Sequence, residues 1–417
     1  MMVNQGDTLS IRELDSLLYL DERQIYNTRL FNKVVHNIEM IGSDYVFVFI
    51  DVDERWYTWP FPIIELADRN FNEWWVQRDR DLSRLNLGVR FYQENMRGRN
   101  EQLKAVVQFG FIQKFELFYD VPYINKGQNT GISFGASYSQ SKQVAYDVDD
   151  NFLLYLDVNQ FQRRRFYANF EVNQRVGLYN FHTLTTEFHD KIISDSIANL
   201  NPNYFGTDDN ELQYFRLQYN YRLDKRDYRA YPVKGWFLNA GFEKLGAGIF
   251  DDLDILRSRA KLQKFTPLSK DRKLFMGNSL SGFYTFYGET PFFVEEGLGF
   301  NEELVRGYEY YAIYGQQYWL QKNSLAYQIF KWNGPDLNML PGRKFDRVPL
   351  AIYLITHFDH GYISDDKNRG KTRANQYLLG YGLGLDFVSF YDLVFRVEYS
   401  RNIDNEDGIY LHFKAAL

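Results

Sequence analysis

The feature that most constrains this chain is a two-residue repeat. In residues 215–223 every odd position is apolar or aromatic (Phe215, Leu217, Tyr219, Tyr221, Leu223), and every even position is polar (Arg216, Gln218, Asn220, Arg222). Successive side chains of a strand point to opposite faces, so the segment reads as a strand with one apolar and one polar face. Residues 393–400 repeat the pattern with one exception, and similar stretches lie near 85–93, 103–111, 115–123, 131–139, 166–172, 236–243, 255–265 and 350–358. With weaker ones the count reaches roughly sixteen segments of about ten residues, an even number that suits a membrane barrel. The connections are rich in Asp, Asn and Gly, as in Asp147-Val148-Asp149-Asp150-Asn151 and Asn201-Pro202-Asn203.

Alternation alone also suits a soluble sandwich, and composition favours the barrel. The chain holds 33 Tyr and 36 Phe, yet mean hydropathy is only −0.46. A transmembrane barrel has this balance, because apolar and polar residues alternate while aromatic residues gather at the membrane surfaces. The polar face, with its Arg, Glu and Gln, is too polar for the core between two sheets. No stretch approaches the eighteen or so consecutive apolar residues of a membrane-spanning helix. A net charge of −6 without a basic cluster argues against nucleic acid as a partner. The absence of cysteine rules out a disulfide framework and thiolate metal sites.

Residues 1–62 read as a small α+β unit. Ser10-Ile11-Arg12-Glu13 fits a capping box, with Ile11, Leu14, Leu17 and Leu18 on one helical face. A second helical start is expected at Asp21-Glu22-Arg23-Gln24, leading into Ile25, Leu30, Phe31 and Val34. Val46, Val48, Ile50 and Val52 then alternate as in a half-buried strand. Pro60 and Pro62 break the pattern, and residues 63–417 are expected to form the barrel, with no helical patterning after about residue 70. The opening Met1-Met2-Val3-Asn4-Gln5-Gly6-Asp7 has neither the charged nor the apolar region of a signal peptide, so an exported form is expected to begin farther upstream.

The long segment 289–314 carries Val305-Arg306-Gly307-Tyr308-Glu309-Tyr310-Tyr311. In 350–361 the apolar set Leu350, Ile352, Leu354 and Phe358 faces lipid, which places His357 and Asp359 inside. Farther on, Gly380, Gly382 and Gly384 leave three successive inward positions without a side chain, a pattern that often marks close approach by another backbone. Segment 289–314 is the candidate to fill that space. An inward Arg306 would need a carboxylate, which Asp359 can supply through a charge-assisted, bidentate bond. The competing reading leaves Arg306 in a solvated loop, and the residues alone support both equally.

Three other signals carry less. Gly131-Ile132-Ser133-Phe134-Gly135 matches a nucleophile elbow, but it sits in an alternating strand where the elbow needs a sharp turn into a helix, so Ser133 is not expected to be catalytic. His357 and His360 straddle Asp359 on opposite strand faces and cannot share a metal. Asp147-Val148-Asp149-Asp150 lacks the glycine and closing glutamate of a calcium loop. No metal, cofactor or catalytic residue is expected.

Several motifs together resemble the BamA/TamA family of outer-membrane proteins. They are the Val305-Arg306-Gly307-Tyr308 tetrad, Phe358-Asp359-His360-Gly361, and Asp224-Lys225-Arg226-Asp227 followed by Tyr231-Pro232-Val233-Lys234-Gly235. Gly6-Asp7-Thr8, Asn27-Thr28-Arg29-Leu30-Phe31 and Val52-Asp53-Glu54-Arg55 resemble the second half of a POTRA domain, so residues 1–62 look like a partial one without its first strand and helix. The resemblance implies a mainly β protein: a sixteen-stranded antiparallel transmembrane β-barrel whose loop 289–314 tucks inward, with Arg306 held at Asp359. It implies an outer-membrane location with the POTRA unit in the periplasm. The implied work is barrel assembly without an enzymatic step, through lateral opening between a first strand near Phe71, Trp74 and Val76 and a last strand containing Gly408, Leu411 and Phe413. The implied partners are nascent outer-membrane barrels, outer-membrane lipids, and periplasmic chaperones or accessory lipoproteins. A polypeptide-secreting or diffusion pore, or an anchor for an enzyme domain, is the alternative. The family often has a glutamate on the twelfth strand near the arginine; here Ser324-Leu325-Ala326-Tyr327 offers alanine, so Arg306 is expected to rely on Asp359 alone.

Overall fold

A computed structural model describes residues 6–28, 30–42, 45–66, 74–75, 79–156, 158, 160–207, 209–250, 253–300, 302–332, 334, 349–367, 373–389 and 393–412. The N-terminal unit holds one continuous helix, α1 (Ile11–Tyr26), and a two-stranded ribbon of β1 (Phe31–Ile41) and β2 (Tyr45–Glu54). Ser10 and Glu13 close the capping box at the helix start, and Leu14 and Leu18 turn inward. The second helical start expected at Asp21 is absent. Asp21 lies inside α1, and Phe31 and Val34 belong to β1.

The rest is dominated by a sixteen-stranded antiparallel, barrel-like sheet. It opens with β3 (Thr58–Leu66), β4 (Leu85–Met96), β5 (Glu101–Gly110), β6 (Ile112–Val121) and β7 (Thr130–Ser141). A hairpin of β8 (Ala145–Asp149) and β9 (Phe152–Tyr155) stands outside it. The sheet continues with β10 (Arg163–Val176), β11 (Asn180–Ile193), β12 (Glu211–Asp224), β13 (Gly235–Leu245), β14 (Ile255–Pro267) and β15 (Leu274–Tyr287). A second small hairpin pairs β16 (Glu296–Leu298) with β17 (Ile313–Gly315). The last strands are β18 (Gln317–Trp332), β19 (Leu350–Ser364), β20 (Tyr377–Ser389), β21 (Val394–Asn402) and β22 (Asp407–His412). Each strand pairs with the next member of the sheet in chain order. Among the described residues no ladder joins β3 to β22, so these are the sheet's two terminal strands.

The first strand of this sheet is therefore β3, which runs across the boundary expected at residue 62 between the N-terminal unit and the barrel. Pro60 and Pro62 lie within it and do not end it. Of the residues assigned to the opening strand, Trp74 sits in a short helical turn where its indole N–H donates to the Asp81 carbonyl at 3.0 Å; Phe71 and Val76 lie outside the described residues. Helix also returns farther along the chain, as α2 (Asp195–Leu200), capped by Ser194.

The alternation sorts side chains as the two-residue repeat requires. Leu217 and Tyr219 are each 41% exposed on the outer face, with Leu87, Leu117, Leu280 and Leu383 exposed likewise. Arg216, next to Leu217 and of opposite parity, bonds inward to Glu187 and Glu243. Ser133 lies in mid-strand on β7, bonded to Asp120. At one end of the sheet the β8–β9 hairpin, α2 and residues 204–205 pack with Phe292, Val294, Ala312 and Tyr314 into an apolar cap. Among the described residues no helix is long and apolar enough to cross a membrane.

Candidate functional site

Segment 289–314 packs against the inner face of the sheet, and Arg306 ends up 1% exposed. Its guanidinium meets Asp359 of β19 in a fork, Nε to Oδ2 and Nη2 to Oδ1, both at 2.6 Å. Nη2 also donates to Ser324 Oγ of β18 at 3.0 Å. Asp359 is held from a second side by the Asn323 backbone N–H at 3.2 Å. Geometry of this kind is what lets a buried ion pair repay its desolvation, and removing one partner of such a pair costs about 3–5 kcal/mol.

The expectation that Asp359 acts alone is corrected by β21. Glu398 Oε2 lies 3.8 Å from Arg306 Nη1, so the arginine faces two carboxylates and a hydroxyl. The position was legible: Arg396, Glu398 and Ser400 are the polar, inward members of the last alternating segment. What the sequence did not show is that β21 and β18 both border the arginine. Ala326, at the position where the family often has glutamate, is instead buried with Phe275 and Ile355.

The glycines divide into two kinds. A Cβ on Gly380 would collide with the Arg306 carbonyl oxygen, so this glycine is required by the loop backbone passing over it. A Cβ on Gly382 or Gly384 would instead strike the neighbouring strand at Tyr399 or Val397 and the side chains of His357 or Glu398. Val305 is wedged between Gly361 and Gly380, where a Cβ at either would come within 3.4 Å of its methyls. Gly307 has φ +97°, a left-handed conformation that favours glycine, and its carbonyl accepts from Asn402 Nδ2 at 3.0 Å. Tyr308 is buried in the cluster with Val305, Leu320 and Leu378. Phe358 faces outward, 47% exposed, as its place in the repeat requires.

Other contacts hold the loop along its length. Arg257 donates to the Val294 carbonyl at 3.0 Å, Arg259 to Glu296 at 2.9 Å, Lys261 to Glu303 at 3.1 Å and Lys322 to the Glu302 carbonyl at 3.1 Å. The loop in turn holds the end of the chain. Tyr310 packs on Tyr410 of β22 with ring centroids 5.6 Å apart, Tyr311 donates to Glu406 at 2.7 Å, and His412 meets Glu398 at 3.1 Å. Gly408 and Tyr410 face inward, Leu411 is on the opposite side of β22, and Phe413 lies outside the described residues. Glu309, Glu398 and His412 bring ligand-type atoms within 4.8 Å of one another, but the Arg306 guanidinium beside Glu398 opposes a further cation there. His357 and His360 sit on opposite faces, His357 against Ser400 Oγ and His360 against Tyr377.

A second insertion comes from the other end. The β12–β13 turn is braced by Asp227 Oδ1, which accepts from the backbone of Tyr228, Val233 and Lys234. That brace carries Tyr231 inward, where its hydroxyl donates to Asp386 at 2.8 Å while Arg396 grips the same carboxylate at 2.6 and 2.9 Å. A cavity of about 270 Å³ bordered by Tyr231, Phe275, Ile355, Ser324 and Glu302 separates the two insertions.

Comparison with known proteins agrees with this architecture. The family described as the Omp85 superfamily domain matches residues 95–414. Among solved structures, BamA from Haemophilus ducreyi lacking POTRA domains 1-3 is 13% identical with a TM-score of 0.57, over 99% of this chain and 80% of that one. CdiB from Escherichia coli is 14% identical at 0.57, over 99% and 72%, and CdiB from Acinetobacter baumannii is 11% identical at 0.50, over 99% and 70%. At these identities the likeness is one of fold. No curated protein matches the chain.

Proposed function

Because the chain belongs to the Omp85 superfamily of outer-membrane barrel proteins, we propose that it is an assembly factor that inserts β-barrel proteins by lateral strand exchange. The observation that carries this reading is the pair of terminal strands. A strand edge with unpaired N–H and C=O groups is a template for another strand, and augmentation of that edge needs no catalytic residue. In this reading β3 and β22 form a seam in the outer membrane that parts to admit a client strand. The N-terminal unit is the partial POTRA domain, lying in the periplasm, and the clients are nascent outer-membrane barrels delivered by chaperones or accessory lipoproteins.

The apolar cap and the seated loop favour this over an open diffusion pore, since both occupy the route along the axis. Reconstitution in liposomes tests it. The protein should accelerate the folding of a client barrel, read as heat-modifiable gel mobility, and a disulfide engineered across the seam should abolish the acceleration until reduced. A large steady single-channel conductance with no acceleration of client folding would support a pore instead.

A further inference from the structure

The edge of β3 that faces away from β4 is chemically one-sided. The Glu94 N–H donates to the Tyr57 carbonyl at 2.7 Å, which fixes the odd-numbered backbone groups of this strand as those turned toward β4. In antiparallel pairing the N–H and C=O of one residue point the same way and the next residue points oppositely. Pro60 and Pro62, which pair with Phe91 and Val89, therefore turn their backbone groups outward. That is where strand prolines are tolerated, because the N–H they lack is not needed by the neighbour. The consequence falls on the open side. Over the central part of β3, at Pro60 and Pro62, the edge carries carbonyl acceptors and no donor; an outward N–H stands before that stretch at Thr58, and full pairs of groups follow it at Ile64 and Leu66.

The opposite edge differs. The Asn402 N–H donates to the Glu406 carbonyl at 2.9 Å, so even-numbered residues of β22 serve β21, and Asp407, Ile409 and Leu411 present both N–H and C=O outward. A seam built from these two strands cannot form reciprocal bonds along the proline stretch. Opening it also leaves fewer orphan donors, and an orphan N–H in an apolar medium is rarer in folded proteins than an under-satisfied carbonyl.

We infer that Pro60 and Pro62 make the middle of the first strand an acceptor-only edge, so that the seam laces at the Ile64 and Leu66 end and stays unlaced across the proline stretch, where an incoming strand that donates N–H groups pairs. The use to which the opening is put rests on the assembly reading above; the polarity of the edge does not.

The test replaces the prolines with a residue that suits a strand and restores the donor. Amide exchange of residues 407–412 is followed by mass spectrometry in lipid nanodiscs for the wild type, Pro60→Val, Pro62→Val and the double variant. Two restored hydrogen bonds should slow that exchange about tenfold in the double variant, and each single variant about threefold. Exchange in β22 unchanged in all three variants, each carrying the wild-type heat-modifiable shift, overturns the inference. Client insertion separates the two ideas. Slower exchange with slower insertion supports both, whereas slower exchange with insertion at the wild-type rate keeps the edge polarity and overturns the assembly reading.

Discussion

The two terminal strands of the sheet have opposite surroundings. β22 is fastened from inside: Tyr410 packs on Tyr310 of the loop that Arg306 locks to Asp359, His412 meets Glu398 of β21 beside that arginine, and Glu406, just ahead of the strand, accepts from Tyr311 of the loop. β3 is held to its hairpin partner through the β3–β4 ladder and the contacts of Glu65 with Arg90 and Thr58 with Gln93. The same contrast runs across the walls. Inward positions on β18, β19 and β21 are buried in strict alternation beneath the loop, whereas those on β6 and β10 are mostly half-exposed. One repeat in the sequence thus yields a plugged wall and a wet one, and the difference is supplied by what folds against it. A seam between a fastened strand and a loosely held one should open by movement of the loose one.

The contrast can be broken from the lock. Asp359→Ala leaves the Arg306 guanidinium buried without its main partner, at a cost of about 3–5 kcal/mol. It should unseat the loop and speed amide exchange in β22 while leaving β3 and β4 unchanged. Gly380→Ala should give the same pattern with the ion pair intact, because the new methyl displaces the loop backbone. Equal acceleration in both terminal strands would show that the lock supports the whole sheet. A smaller change sharpens the comparison: Tyr310→Leu removes the pairing with Tyr410, worth about 0.5–1.5 kcal/mol beyond area, and should loosen β22 alone. The smallest effect is expected on the other side. Arg90 and Glu65 are 30% and 45% exposed, and such a pair contributes about 0–1 kcal/mol, so Arg90→Ala should leave thermal stability nearly unchanged.

Much of this was legible from period two. It placed Leu217 outside, His357 and Asp359 inside, and Gly380 under a passing backbone, because a strand's parity fixes its faces wherever one face is apolar. Parity says nothing about which strands are neighbours across the inner space, so Glu398 and Ser324 could not be tied to Arg306 in advance. Pro60 and Pro62 misled for a different reason. The rule that proline breaks a strand does not hold where the missing N–H faces an open edge. The role of Asp227 in bracing a turn that carries Tyr231 to Asp386 is likewise invisible without the register that sets those residues facing each other.

The central claim is that the mobility of the proposed seam belongs to β3 and not to β22, and distance measurement tests it directly. The chain has no cysteine, so spin labels can be placed at will on outward positions. Ile64, Ile409 and Leu280 are all exposed on the outer face, the last on β15 across the sheet. Labelled as Ile409→Cys with Leu280→Cys, the protein in nanodiscs should give one narrow distance distribution, and as Ile64→Cys with Leu280→Cys a broad one. Two narrow distributions, or the broader one at Ile409, would contradict the account.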